Sequence, residues 1–445
     1  MIILRKLKIA ILLSLIIISF NNVVLSNAIE FKGKIHKNVY IRDINLSGLT
    51  KNEAENKINE MLSNNESCIL KLNNKEFIFS KEKIEVDYNV DELVKEAYDV
   101  GRSEGIISNL KVKANLNMGD KLILDYNVTY NEKKLDDYIK YINKEIYKEP
   151  INSTIEVHNG NIIVTRDKYG YKLNENELKR ALISKIENID KKDVIIPISY
   201  IKPSYLYSQL SQINTVLGKF ETYFNPNNKN RSSNIKLASD ANNNILLCPG
   251  ERFSFNSNIE DAHIYKYLKE APVIINGKSE KGIGGGICQV SSTIYNAALY
   301  SGMKIINVKN HSIPSKYIEK GRDATVSRGC IDLKFSNKFN APVFIYNEID
   351  NNKIVSTIYG NEKDKMDIEV ITEVTDIINN KVVRKNSEEY DFGQEIIEQQ
   401  GRKGYKVKTY RVYKSKLDNK TEYIGESYYP PQDKVIIYGT RQERK

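Results

Sequence analysis

An α+β multidomain protein is what this sequence predicts: two tandem small α+β repeats, a larger α+β domain with one helix packed on an antiparallel sheet, and a C-terminal all-β module. Three observations carry that reading. Residues 75–99, KEFIFSKEKIEVDYNVDELVKEAYD, line up without a gap on residues 160–184, GNIIVTRDKYGYKLNENELKRALIS. The run GIGGGICQVSSTIYNAALYSG, 282–302, sets three glycines before a stretch with apolar residues at helical spacing. Residues 363–445 alternate apolar and polar positions between Asn-Asn, Gly-Arg-Lys-Gly and Asp-Asn turn signals, the pattern of strands joined by turns.

At 445 residues the chain exceeds one ordinary core, so several domains are expected. Residues 1–28 stand apart. Arg5, Lys6 and Lys8 precede a hydrophobic stretch from Ile9 to Phe20, and Ser26-Asn27-Ala28 offers small residues where a signal peptidase cleaves. They read as a signal peptide, or as a membrane anchor if the stretch continues uncleaved through Leu25. The chain is therefore expected to be exported, to the cell wall or the outer face of the cytoplasmic membrane. A net charge of +10 suits an anionic wall polymer as partner; the lysines are scattered among acids and form no arm, and no nucleic-acid motif occurs.

Cys68, Cys248, Cys288 and Cys330 lie far apart, with no CxxC and no Cys/His ligand pair, so no metal site or other cofactor is expected. Sparse cysteines in a long chain do not make a disulfide framework. A free and useful thiol is left open.

Taken in order, each repeat reads as a helix, two alternating strands, and a second helix entered at Asn89 or Asn174 as cap. The repeats span about 29–115 and 116–202, with a link over 203–218. In 219–361 a helix begins near Ser232 or Ser233, a turn falls at Pro249-Gly250, and a strand runs from Arg252 to Phe255. The glycine-led helix follows to Tyr300 and stops at Gly302. Short strands come next in KIINVKN, DATVS, CIDLKFSN, PVFIYNEI and KIVSTIYG.

INLSGLTKNEAENKINEML with the strand pair behind it resembles the peptidoglycan-binding repeat found beside wall-modifying domains. That resemblance implies peptidoglycan as partner; a rigid, non-catalytic surface spacer is the alternative. NRSSNI, PGERFSFN, GGGICQVSSTIYNAAL, NHSIPSKYIEKGRDATV and IDLKFSNKFNAPVFI, in this order, resemble a VanW domain over 219–361. The resemblance implies a cell-envelope setting, wall remodelling or glycopeptide resistance, without implying a reaction. The tail, with Gly393, Gly401, Gly404, Gly425 and Gly439, resembles a G5 domain.

The chemistry concentrates at Cys288. A helix N-terminus favours a thiolate, and bare backbone at Gly284, Gly285 and Gly286 lets a substrate carbonyl approach N–H groups able to stabilise an oxyanion. His311 and Asp323 follow in the order Cys, His, Asp, similar to papain-like and NlpC-type peptidases, with His311 as base and Asp323 as its orienter. Gln289 is a candidate oxyanion donor, and Ser291, Ser292 and Arg322 are candidate substrate contacts. Such a site would be a cysteine-dependent hydrolase or transpeptidase of peptidoglycan stem peptides. The competing reading makes Cys288 a small core residue and Asp323–Arg322 a strand-end ion pair.

Overall fold

The structure is a computed structural model that describes Ile11 and residues 31–275, 278–415 and 418–441. Apart from Ile11, the expected signal or anchor lies outside the described residues. Among the described residues no helix is long and apolar enough to cross a membrane. The chain is α+β and divides into two compact units, residues 1–151 with 169–202, and residues 152–168 with 203–445.

Both repeats form the expected order of elements along the chain, although the second copy's hairpin over 155–164 falls in the second unit. The helix Lys51–Ser63 opens on a capping box, in which Thr50 accepts from the Glu53 N–H and the Glu53 carboxylate accepts from the Thr50 N–H at 2.8 Å. Asn174 caps the helix Glu175–Glu187 by accepting from the Glu177 N–H. Asn89 does not cap: it adopts φ 50° and makes no side-chain bond to its helix. Its amide instead donates to Asn127 O at 2.8 Å.

The two copies exchange partners. Strand Leu122–Leu124 of the second copy pairs in parallel with Val39–Ile41 of the first, and Val194–Ile195 pairs in parallel with Ser67–Leu72. The helix Glu132–Ile146 carries Leu135, Ile139, Ile142 and Ile146 on one face, the spacing of an apolar stripe. That stripe shares a core with Leu70, Leu72 and Phe79 of the first copy's hairpin. Each copy thus buries apolar surface that its own residues leave uncovered.

The second unit centres on a four-stranded antiparallel sheet in the order Ile245–Leu247, Val343–Asp350, Lys353–Gly360, Thr215–Tyr223. The helix Ile287–Tyr300 packs on the last two of these strands, and its residues from Gln289 to Leu299 are buried. The hairpin Ile155–His158/Asn161–Val164 belongs to this unit, where Ile155, Val157 and Ile162 pack with Ile213, Phe344 and Tyr359. The expected helix start at Ser232 or Ser233 shifts: the helix runs Lys229–Ala241 with Asn228 as cap.

DATVS forms no strand. Residues 323–327 run without a ladder because their backbone groups bond elsewhere: the Ala324 N–H donates to Ser292 Oγ at 2.9 Å, Ser291 Oγ donates to Ala324 O at 2.6 Å, and the Thr325 N–H donates to Lys309 O at 2.7 Å. This segment is therefore pinned to the glycine-led helix. The tail is all-β, with two three-stranded sheets built on Ile368–Ile378, Gly404–Tyr413, Lys420–Tyr429 and on Val382–Asp391, Lys434–Arg441, Glu395–Gln399. Arg411, 1% exposed, crosses from the first sheet to donate to Leu299 O and Met303 O at 3.2 and 3.0 Å.

Candidate active site

The hairpin Glu270–Ile275/Lys278–Ile283 delivers the chain to the glycine run. A Cβ at Gly285 would lie 2.6 Å from Pro272 O. At Gly286, with φ 111°, it would lie 2.8 Å from Ile235 and 3.1 Å from Arg231 Nη1. Only glycine lets the backbone pass here and turn into the helix. The Ile287 and Gln289 N–H groups donate to Gly284 O and Gly286 O. The Cys288 N–H is thereby left without an acceptor among the described residues.

Cys288 is half-buried at this helix start. Its Sγ lies 3.5 Å from both Val326 O and Val326 N, so the pinned segment holds the sulfur. The His311 ring is hydrogen-bonded to Asp323, and both it and Cys288 line the same cavity. His311 Nδ1 is 2.6 Å from Asp323 Oδ2, which also accepts the His311 backbone N–H at 2.7 Å. Burial alone would lower the His311 pKa, but the bond to Asp323 and the influence of the Cys288 sulfur outweigh it and raise it from 6.5 to about 10. At neutral pH the ring is imidazolium.

Asp323 is 2% exposed. Its second oxygen accepts from the Tyr429 hydroxyl, and Tyr429 in turn accepts the Gly321 N–H at 2.7 Å. Burial first, and Asp323 next, push the Tyr429 pKa far up, which keeps it a neutral donor. A desolvated carboxylate with three donors is a satisfied one.

A cavity of about 1030 Å³ opens in front of the sulfur. Cys288, Gln289, His311 and Gly284–Gly286 line it. Its walls combine apolar surface from Phe255, Ile259 and Leu268 with cations at Arg231, Lys316 and Arg328. Three expected contacts are elsewhere. Ser291 and Ser292 are fully buried and spend their hydroxyls on Ala324 and Cys288 backbone groups. Arg322 is buried behind the helix, bonded to Asn296 at 2.8 Å and Tyr300 at 3.0 Å and stacked over Phe220. Its guanidinium braces the fold and does not reach the cavity.

Gln289 also differs from expectation. Its Nε2 donates to Thr222 Oγ1 and Tyr223 O at 3.1 and 2.8 Å, and its Oε1 accepts Arg231 Nη2 at 2.7 Å. Both amide protons are committed, so none remains for an oxyanion. Arg231 and Tyr429 were missed by sequence reasoning. Arg231 sat in view within NRSSNI, whereas nothing local marks Tyr429.

A family model described as "VanW like protein" matches residues 230–359, the segment that contains the whole cysteine, histidine and aspartate arrangement. "Uncharacterized protein YoaR" of Bacillus subtilis is 36% identical over 230 residues, which are 52% of this chain and 75% of that protein. The chain belongs to the VanW family. The "Vancomycin B-type resistance protein VanW" of Enterococcus faecalis is 32% identical over 140 residues, 30% of this chain and 51% of that protein. Beside the VanW domain, a "Putative peptidoglycan binding domain" model matches 78–194 and a "G5 domain" model matches 369–441. The solved IgA1 protease G5 domain is 19% identical at a TM-score of 0.15, covering 18% of this chain and 95% of that one. These domains make this a cell-wall-associated protein. Tyr429 and Arg411, which hold the VanW domain's site and helix, come from its G5 domain.

Proposed function

We propose that this protein is exported through its N-terminal segment, engages peptidoglycan, and performs cysteine-dependent acyl transfer on stem peptides during wall remodelling. The observation that carries the reaction is that Cys288 and His311 line one cavity, with the buried Asp323 hydrogen-bonded to the His311 ring behind it. The sulfur attacks an amide carbonyl, forming the S–C bond, and the oxyanion meets the free Cys288 N–H. As the C–N bond breaks, His311 gives its proton to the departing amine. The thioester then passes its acyl group to water or to a second amine, whose proton returns to His311. Asp323 keeps the ring in one orientation and offsets its charge throughout.

A binding-only protein would need the cavity and its cations but not a histidine hydrogen-bonded to a buried carboxylate in the same cavity wall as a thiol. The test is to incubate the protein and Cys288→Ala with purified peptidoglycan and analyse the fragments by mass spectrometry. Cleaved or newly cross-linked stem peptides are expected with the unaltered protein alone. Identical profiles for both, matching a protein-free control, would refute acyl transfer; a pull-down on the same peptidoglycan tests retention separately.

A further inference from the structure

Arg231 is half-buried in the cavity wall and has no carboxylate partner among the described residues, although it neighbours the reactive sulfur. Its Nη2 donates to Gln289 Oε1 at 2.7 Å, and Gln289, 1% exposed, is itself anchored to Thr222 and Tyr223. A neutral amide fixes the guanidinium in direction without neutralising it. Burial weighs against the charge, and an uncompensated cation in a half-buried site is costly until an anion arrives.

The rest of the lining agrees. Lys316 and Arg328 also face the cavity, Arg328 lying over the Tyr265 ring at 4.3 Å, and no Asp or Glu is among the lining residues. The nearby acids are engaged outward: Asp323 with His311 and Tyr429, and Asp332 with Ser254, the Asn256 N–H and Lys334. The planar fork of an arginine matches a carboxylate with two parallel hydrogen bonds.

We propose that Arg231, aimed by Gln289, is the docking point for a free carboxylate of the substrate, so that the cavity selects anionic peptides and positions the bond next to that carboxylate at Cys288. The substrate class deepens the acyl-transfer reading and rests on it for the bond attacked, but carboxylate docking itself requires no chemistry. It is tested on the full chain carrying Cys288→Ala, by calorimetric titration with muropeptides and with the same muropeptides after conversion of their carboxylates to amides. The expected result is binding about tenfold or more tighter for the free acids. Arg231→Gln in that background is expected to bring acid and amide within about twofold, and Arg231→Lys to retain part of the preference. Equal binding of acid and amide, binding of neither, or a preference that survives Arg231→Gln overturns the proposal. The acid-against-amide comparison on Cys288→Ala needs no Arg231 variant to fold. Should peptidoglycan remain unprocessed by the unaltered protein while the preference holds, acyl transfer fails and the carboxylate site stands.

Discussion

The Tyr429 hydroxyl, from the G5 domain, donates to the Asp323 carboxylate that orients His311 of the VanW domain. The link is part of a wider seam, in which Thr409 Oγ1 donates to Gly321 O at 2.8 Å and Arg411 closes the C-terminal end of the glycine-led helix. Two segments matched as separate domains therefore share one buried polar network, and the site is complete only when both are folded.

Tyr429→Phe follows from that link. Deleting one hydroxyl leaves Asp323 Oδ1 buried with a donor lost and the Gly321 N–H without its acceptor. The expected cost is about 1–3 kcal/mol in urea unfolding. A merely packed tyrosine would lose nothing with the ring retained. If the variant also turns over peptidoglycan, its alkaline limb is expected to move to lower pH, because a less constrained Asp323 holds His311 less firmly.

Stability should fall as pH rises through the alkaline range. His311 titrates at about 10 in the folded chain against 6.5 ordinarily, so between these values the native state binds the extra proton. Its contribution is complete below about 6.5 and lost by about 10, with a slope of up to about 1.4 kcal/mol per pH unit between. Urea midpoints measured from pH 6 to 10 check this. Asp323→Asn, which removes the main partner, is expected to flatten the slope; an unchanged slope would assign it to other groups.

Cys288, His311 and Asp323 were legible because their residue types, their order and the preceding glycines each say something chemical. What their neighbours do was not. Gln289 sits beside the nucleophile, yet its amide turns toward Thr222 and Tyr223, strand residues far away in the chain. Arg322 adjoins Asp323, but an extended segment sends alternate side chains opposite ways, and Arg322 takes the helix side. DATVS has strand-forming residues, but Ser291 and Ser292 compete for the Ala324 backbone groups and win, while Asn296 takes the preceding Arg322 O. The exchange of strands between the two repeats is equally invisible, since both copies carry the same pattern.

Gln289→Ala should weaken the fold and release Arg231. Thr222 and Tyr223 O lose their donor in a buried setting, for an expected cost of about 2–4 kcal/mol in urea unfolding. Gln289→Glu is the informative companion, because it gives Arg231 a carboxylate partner of its own. It is expected to bind free-acid muropeptides less tightly than Gln289 does, even where its stability is close to that of the unaltered chain.

Cys288 should be the cysteine whose reactivity depends on His311. Alkylation needs the thiolate, and a histidine base in the same wall can take the thiol proton. Val326 N–H, at 3.5 Å, adds a donor to the sulfur. Cys68 is buried, with its thiol pushed up by desolvation, and Cys330 is exposed. Iodoacetamide labelling at pH 7, followed by peptide mass spectrometry, is expected to modify Cys288 and Cys330 and to spare Cys68. His311→Ala is expected to slow Cys288 by about tenfold or more while leaving the Cys330 rate unchanged. Because Cys330 serves as an internal control in the same molecule, a general loosening of the fold would raise the Cys68 rate instead. Equal Cys288 rates with and without His311 would sever the thiol from its proposed partner.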